Sequence, residues 1–235
     1  MSVLKSRFFD FSCFSLFTLN TTSIYILIAL LFHISGAIGL HSCAREWFIS
    51  MTPATLTLMG VLLVLTDHGK PANLLKTFLV SYAIGYSAEY LGVNTGLLFG
   101  DYSYGKALGI KILNVPIMIG LLWFMTILSV GNLVKYLMTH LKFPVFIKGL
   151  GLLFKVNVAA SLTVLFDFIL EPAAIKLGYW NWEQSEIPLY NYVCWYLVSA
   201  VIFSFFFRWQ ADSTPNRLAI ALVFIQLFFF IMAQI

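Results

Sequence analysis

Seven stretches of this chain are apolar for long enough to cross a bilayer as helices: roughly residues 22 to 42, 47 to 66, 74 to 92, 113 to 138, 149 to 170, 188 to 207 and 218 to 235. They take up most of the 235 residues and leave only short connections between them. With 60% of residues hydrophobic and 10% charged, a soluble domain this short could not hide its apolar surface from water. A separate soluble domain and a nucleic-acid binder are excluded, despite a formal net charge of +4. A transmembrane barrel would show alternating segments of about ten residues, whereas these runs are continuous and about twice that length. The expected fold class is all-α: a polytopic membrane protein with about seven transmembrane helices. Residues 1 to 21, with Lys5, Arg7 and Asp10 among phenylalanines, read as an interfacial N-terminal segment ahead of a single transmembrane helical domain over 22 to 235. Cys13, Cys43 and Cys194 lack C-x-x-C spacing and are odd in number, so they read as small apolar side chains and not as a disulfide framework.

The loop charges orient the bundle. With the N-terminus inside, the inner segments hold Lys5, Arg7, Lys70, Lys76, Lys135, Lys142, Lys148, Arg208 and Arg217, and the outer ones only Arg45, Lys106, Lys111 and Lys176. Nine against four predicts an integral protein of the cell inner membrane with its N-terminus inside. The third and fifth spans, both odd-numbered, end on the same side whichever way the chain is inserted. Glu89, Asp101, Asp167, Glu171, Glu183 and Glu186, six of the ten carboxylates, therefore share one membrane face or its edge.

A repeat surrounds those carboxylates. Glu89, Gly100, Tyr102 and Tyr104 match Asp167, Gly178, Trp180 and Trp182 at a constant offset of 78, and Val115-Pro116 with Trp123 match Ile187-Pro188 with Trp195 at an offset of 72. The pattern predicts an internal parallel repeat of two helical hairpins, over 74 to 138 and 149 to 207, related by an axis along the membrane normal. The alternative is chance together with shared hairpin rules, since Pro begins many helices and Trp and Tyr line membrane interfaces.

An ionisable side chain within or at the edge of a span costs a few kcal/mol and so usually faces a cavity or a partner. Arg45 and Lys111 lie on the correct side to be counter-ions for Glu89, which would make it a tether and not a reactive group. Asp167 and Glu171 stand four apart, two like charges on one helical face that cannot both ionise cheaply. Pro172 is expected to end that helix. A carboxyl group that keeps its proton beside apolar and aromatic walls is a general acid. Glu89, Asp101, Asp167 and Glu171 are thus the candidate catalytic residues. Tyr102, Tyr104, Trp123, Trp180, Trp182 and Trp195 supply electron-rich faces that stabilise a cation. Asn94, Asn114 and Asn191 are candidates to orient a water, or simply cap a helix or turn.

Missing motifs narrow the chemistry. His33, His41, His68 and His140 form no H-x-x-H or H-x-x-x-H pair, and no clustered metal ligands occur. Without a strand-associated G-x-G-x-x-G or a P-loop, nucleotide cofactors lack their usual cradle, and no cofactor is expected. Gly92, Gly96 and Gly100 read as close packing followed by a turn. No aspartate-rich diphosphate motif appears, and the last span has no lysine for a retinal Schiff base.

The segments Glu89-Tyr-Leu-Gly-Val-Asn-Thr-Gly-Leu-Leu-Phe-Gly-Asp-Tyr-Ser-Tyr104, Asn114-Val-Pro116 with Trp123, Asp167-Phe-Ile-Leu-Glu-Pro172, Gly178-Tyr-Trp-Asn-Trp182 and Ile187-Pro-Leu-Tyr-Asn-Tyr-Val-Cys-Trp195 resemble the membrane carotenoid hydratases of the CruF type, many of them labelled "carotenoid biosynthesis protein". The resemblance covers about residues 74 to 205. It implies a cofactor-free lyase that adds water to the terminal double bond of an acyclic carotenoid end group, giving a tertiary alcohol, with a lycopene- or γ-carotene-like substrate entering from the lipid bilayer. The resemblance brings no catalytic residue set; spacing and topology assign the roles, with Asp167, Glu171 nearby, expected to protonate the double bond and Glu89, with or without Asp101, to take the proton of the attacking water, the roles of Asp167 and Glu89 being exchangeable. Two other readings stay open: a membrane carotene cyclase or isomerase, and a non-catalytic lipid or carotenoid carrier or transporter.

Overall fold

The computed structural model describes residues 20–141, 151–183 and 186–235, which fold into eight helices and four short strands. The helices are α1 (Thr21–Leu40), α2 (Arg45–Ser50), α3 (Thr52–Leu65), α4 (Pro71–Thr95), α5 (Met118–His140), α6 (Gly151–Lys176), α7 (Leu189–Trp209) and α8 (Arg217–Gln234). Strands β1 (Tyr102–Tyr104), β2 (Lys111–Ile112) and β3 (Val115–Pro116) join α4 to α5, and β4 (Trp180–Trp182) joins α6 to α7. The expected interfacial segment lies outside the described residues except at its end, where the Asn20 side chain accepts from Ser23 N at 2.8 Å and caps α1.

Five helices, α1, α5, α6, α7 and α8, are long and apolar enough to cross a bilayer. The protein is an all-α membrane protein. The expected span over 47 to 66 is broken at Met51 into α2 and α3, with Pro53 in the first turn of α3. At 1.5 Å per residue, the 14 residues of α3 reach about 21 Å, short of a hydrocarbon core of about 30 Å. Helix α4 has 25 residues, ample for a crossing, but Lys76, Tyr82, Tyr86, Glu89 and Asn94 make it markedly more polar than the other five. Helix α6 runs through Pro172 to Lys176 and does not stop there. In a packed bundle, neighbouring helices tolerate the one backbone hydrogen bond that a proline removes.

Helix α5 is the centre. It is buried over 78% of its apolar stretch, against 28 to 33% in the other four apolar helices, and it packs on α3, α4, α6, α7 and α8. Close approach needs small residues: a Cβ on Gly85 of α4 would lie 2.2 Å from the Trp123 ring of α5. At the opposite end from the strands a polar knot ties the bundle. Asn216 caps α8 by accepting from Leu218 N and Ala219 N and donates to Thr66 Oγ1 at 3.0 Å, while Lys135 Nζ donates to the carbonyls of Gln210 and Ser213, both at 2.6 Å.

At the other end, β1 and β4 pair antiparallel: Tyr102 with Trp182, Ser103 with Asn181, Tyr104 with Trp180. Alternation puts both aromatic pairs inward and the Ser103–Asn181 pair outward. Gly105 makes the junction possible, because a Cβ there would sit 1.9 Å from the Gly178 carbonyl oxygen. Gly96 ends α4 in the left-handed conformation, with φ 65°, and its N–H donates to Gly92 O at 2.8 Å.

Candidate active site

Each hairpin supplies one buried carboxyl group to a cradle of aromatic donors. Glu89, on α4, accepts from the phenols of Tyr102 and Tyr104 (2.7 Å for Tyr104) at Oε2 and from Trp123 Nε1 at 3.2 Å at Oε1. Glu171, on α6, accepts from Trp180 Nε1 at 2.9 Å and Trp182 Nε1 at 3.2 Å at Oε2, and from Asn191 Nδ2 at 3.4 Å at Oε1. In both cases the acid looks up from a helix and the strand that follows turns two aromatic N–H or O–H groups down onto it.

These donors are neutral. Among the described residues the only ion pair is Arg45 with Glu46 at 3.1 Å, and none reaches Glu89, Asp167 or Glu171. Lys111, a possible counter-ion, donates instead to the Tyr104 carbonyl, and Arg45 also donates to the Lys176 carbonyl at 2.9 Å. Burial first, and then the neighbouring Glu89 carboxylate, hold the phenols of Tyr102 and Tyr104 well above the ordinary tyrosine range. Both therefore remain hydrogen-bond donors throughout the physiological pH range.

A cavity of about 460 Å³ opens beneath the paired strands. Glu89, Glu171, Asn191, Trp123, Trp195 and the inward aromatics of β1 and β4 line its upper part. Trp123 and Trp195 stack there with ring centroids 4.4 Å apart and planes 19° from parallel. Tyr102 lies 5.2 Å from Trp182, and Tyr104 6.1 Å from Trp180. The upper walls are thus rich in π faces, and among the described residues the only acids lining the cavity are Glu89 and Glu171.

The other candidates separate into two groups. Asp167 is wholly buried, does not line the cavity, and accepts from Asn191 Nδ2 at 3.0 Å, so that Asn191 bridges it to Glu171. Its Oδ1 has no hydrogen-bond partner. Asp101 does not join the buried acids: it is exposed in the loop before β1, where its carbonyl accepts from Glu183 N at 3.0 Å. Asn94 and Asn114 are also exposed and hold the loop, Asn114 donating to Asn94 at 3.0 Å and Asn94 to the Leu113 carbonyl at 3.1 Å. Of the three asparagines, only Asn191 reaches the cavity.

Sequence reasoning did not mark His33, Phe99 or Gln226, which line the cavity from α1, the α4–β1 loop and α8. The signal was present for two of them. His33 and Gln226 are isolated polar residues within apolar spans, and such residues face a protein interior more often than lipid.

The chain matches the carotenoid biosynthesis protein family over residues 47–235. A bisanhydrobacterioruberin hydratase of Haloarcula japonica is 30% identical over 159 residues, 65% of this chain and 50% of that protein. The chain thus spans about half the length of the curated relative it matches. No solved structure matches it.

Proposed function

Since the chain belongs to the carotenoid biosynthesis protein family, we propose that it is a hydratase, a lyase that adds water across the terminal double bond of an acyclic carotenoid end group. One observation carries the reading: two buried carboxyl groups, Glu89 and Glu171, held by neutral donors only, face one aromatic-walled cavity. Hydration of an unactivated alkene needs an acid, walls that tolerate a cation, a positioned water and a base. The hydratase named among its relatives supports the same reaction class.

In this reading Glu171 donates its proton to the less substituted alkene carbon. The π pair forms the new C–H bond and leaves the positive charge on the tertiary carbon. Trp180, Trp182, Trp123, Trp195 and Tyr104 screen that cation with their ring faces, an interaction of about 2 kcal/mol or more per desolvated contact. Water attacks the cation, and Glu89 takes a proton from it, leaving a tertiary alcohol. The proton then passes from Glu89 back to Glu171, and the net change is one added water. Asp167 acts from behind, sharing Asn191 with Glu171, so that the acid role expected of Asp167 is exercised one helical turn nearer the substrate. The exchange of roles between the two hairpins is equally open to Glu89 and Glu171.

The reading extends to architecture. The two hairpins, α4–α5 and α6–α7, are copies about an axis along the membrane normal, within a chain that crosses seven times, α3 making a short second crossing, from an inside N-terminus in the inner membrane. Ser103 pairs with Asn181, its own counterpart at offset 78, and Trp123 stacks on Trp195, its counterpart at offset 72, as the residues nearest a two-fold axis would. The test is expression in a lycopene-making host followed by mass analysis of the pigment. A product one water heavier is expected; a product of unchanged mass indicates a cyclase or isomerase, and unconverted lycopene on the purified protein indicates a carrier.

A further inference from the structure

The cavity does not end at the carboxyl groups. It continues downward and sideways to a wall made by one face of α1, with Phe32, Ser35 and Gly36, and by the junction residue Met51 with the face of α3 that follows it, Ala54, Thr55 and Leu58. Both sets fall at the i, i+3, i+4 spacing of a single helix face. Phe32 is 41% and Met51 37% exposed, and Ser35 and Ala54 are exposed as well, so these side chains face the cavity and the outside together. Trp47 of α2, 59% exposed, lines the cavity above them.

The break at Met51 explains the gap. A continuous second span would have lain along α1 and closed it. Instead α2 turns across the end of the bundle, pinned by Phe48, whose ring occupies the place where a Gly39 Cβ would be, and by Arg45 donating to the Lys176 carbonyl at 2.9 Å. Thr52, at the start of α3, lies 3.4 Å from the Tyr179 hydroxyl, a contact that holds the near side. The result is a doorway with α2 as its lintel. Ser35 stands five residues and Phe32 eight residues before the end of α1, which places the opening about 7 to 12 Å below the helix ends, within the depth of the hydrocarbon.

We propose that this opening between α1 and α3 is a lateral binding site for the linear polyene chain of the substrate. One end group passes through it to Glu89 and Glu171 while the rest of the chain stays in the bilayer. This rests on the hydratase reading. The rim carries no charge, as an aliphatic or polyene occupant requires. The cavity, about 460 Å³, matches a drug-sized ligand and is too small for a whole long-chain carotenoid together with the attacking water. Each end of such a molecule therefore enters in a separate event.

The small rim residues give a direct test. Ser35→Trp and Ala54→Trp plug the opening from exposed positions outside the carboxyl cradle, and Leu31→Trp and Val61→Trp, on exposed surfaces of the same helices that do not line the cavity, are the controls. Two readouts are taken in a lycopene-making host: hydrated product per unit of membrane protein, and lycopene retained by the purified protein. Both are expected to fall at least tenfold in the plugged variants and to stay near wild type in the controls. Plugged variants that match wild type, or controls that fall equally, overturn the doorway. A wild-type protein that retains lycopene without hydrating it overturns the hydratase reading alone, and retention in the plugged variants then decides the doorway. A wild-type protein that neither hydrates nor retains lycopene overturns both.

Discussion

Glu89 and Glu171 differ from Asp167 in what surrounds them, not in their chemistry as acids. Sequence spacing pairs Glu89 with Asp167 at offset 78, because both stand thirteen residues before the first aromatic of their strand. Measured from the helix ends the match shifts. Glu89 lies six residues before Thr95 and Glu171 five before Lys176, whereas Asp167 lies nine before it. Because α6 continues through Pro172, the turn carrying Glu171 meets β4, and a linear offset holds no information about which turn of a helix a strand will reach. We expect Glu89→Gln and Glu171→Gln to lower hydration by about 10²- to 10⁴-fold, the usual contribution of a proton-transfer group. Asp167→Asn should cost less, since it removes a group behind the wall, and near wild-type conversion by both glutamine variants at normal membrane levels would remove these carboxyls from the mechanism. The phenols of Tyr102 and Tyr104, raised by burial and then by Glu89, stay protonated, so they are expected to add no limb to the pH–rate profile in the physiological range. Loss of a limb in Tyr104→Phe would contradict that.

Helices and strands position these side chains through contacts with very little slack. The membrane class and the shared face of the acids were legible in hydropathy and helix parity. The β1–β4 pairing was not, because Gly-x-aromatic-x-aromatic on a loop is equally an interfacial belt until a partner strand is known. The break at Met51 was hidden for a related reason: residues 47 to 66 are apolar throughout, and hydropathy does not register a change of direction. Gly85 shows how tightly one element depends on another. A methyl group there would meet the Trp123 ring, which is fixed on its other side by the stack with Trp195 and at its N–H by Glu89. Gly85→Ala is expected to destabilise the protein by about 1–3 kcal/mol, a fall in Tm of roughly 2–12 °C for a chain of this size, and to lower conversion as well. Trp123→Phe alone, which keeps the ring atoms that face Gly85 but lacks the donor, should retain most of the Tm and lose activity. Retention of both would mean that the Trp123 bond to Glu89 does nothing in the reaction.

For the molecule as a whole, the question is which side of the membrane holds the carboxyl end. The two hairpins enter from the same side, so α4 and α6 bring Glu89 and Glu171 to one end, while Lys135, Asn132 and Asn216 knot the other. Geometry alone does not orient this bundle; the orientation we propose rests on the sequence charges, nine Lys and Arg on the segments expected inside and four on those expected outside. By the positive-inside rule, the knot is expected in the cytoplasm and the acids toward the outer surface. Two native cysteines make this measurable. Cys43 is exposed in the turn between α1 and α2 at the carboxyl end, and Cys194 is buried in α7. With Cys13, which lies outside the described residues, replaced by serine, a membrane-impermeant maleimide added to intact cells is expected to label Cys43 and to spare Cys194. In a Gram-negative host the outer membrane must first be opened, and a cytoplasmic thiol protein must stay unlabelled as the control. Labelling that appears only after the inner membrane is broken would reverse the insertion. The doorway and both carboxyl groups would then serve the cytoplasmic leaflet, and the attacking water would come from the cell interior.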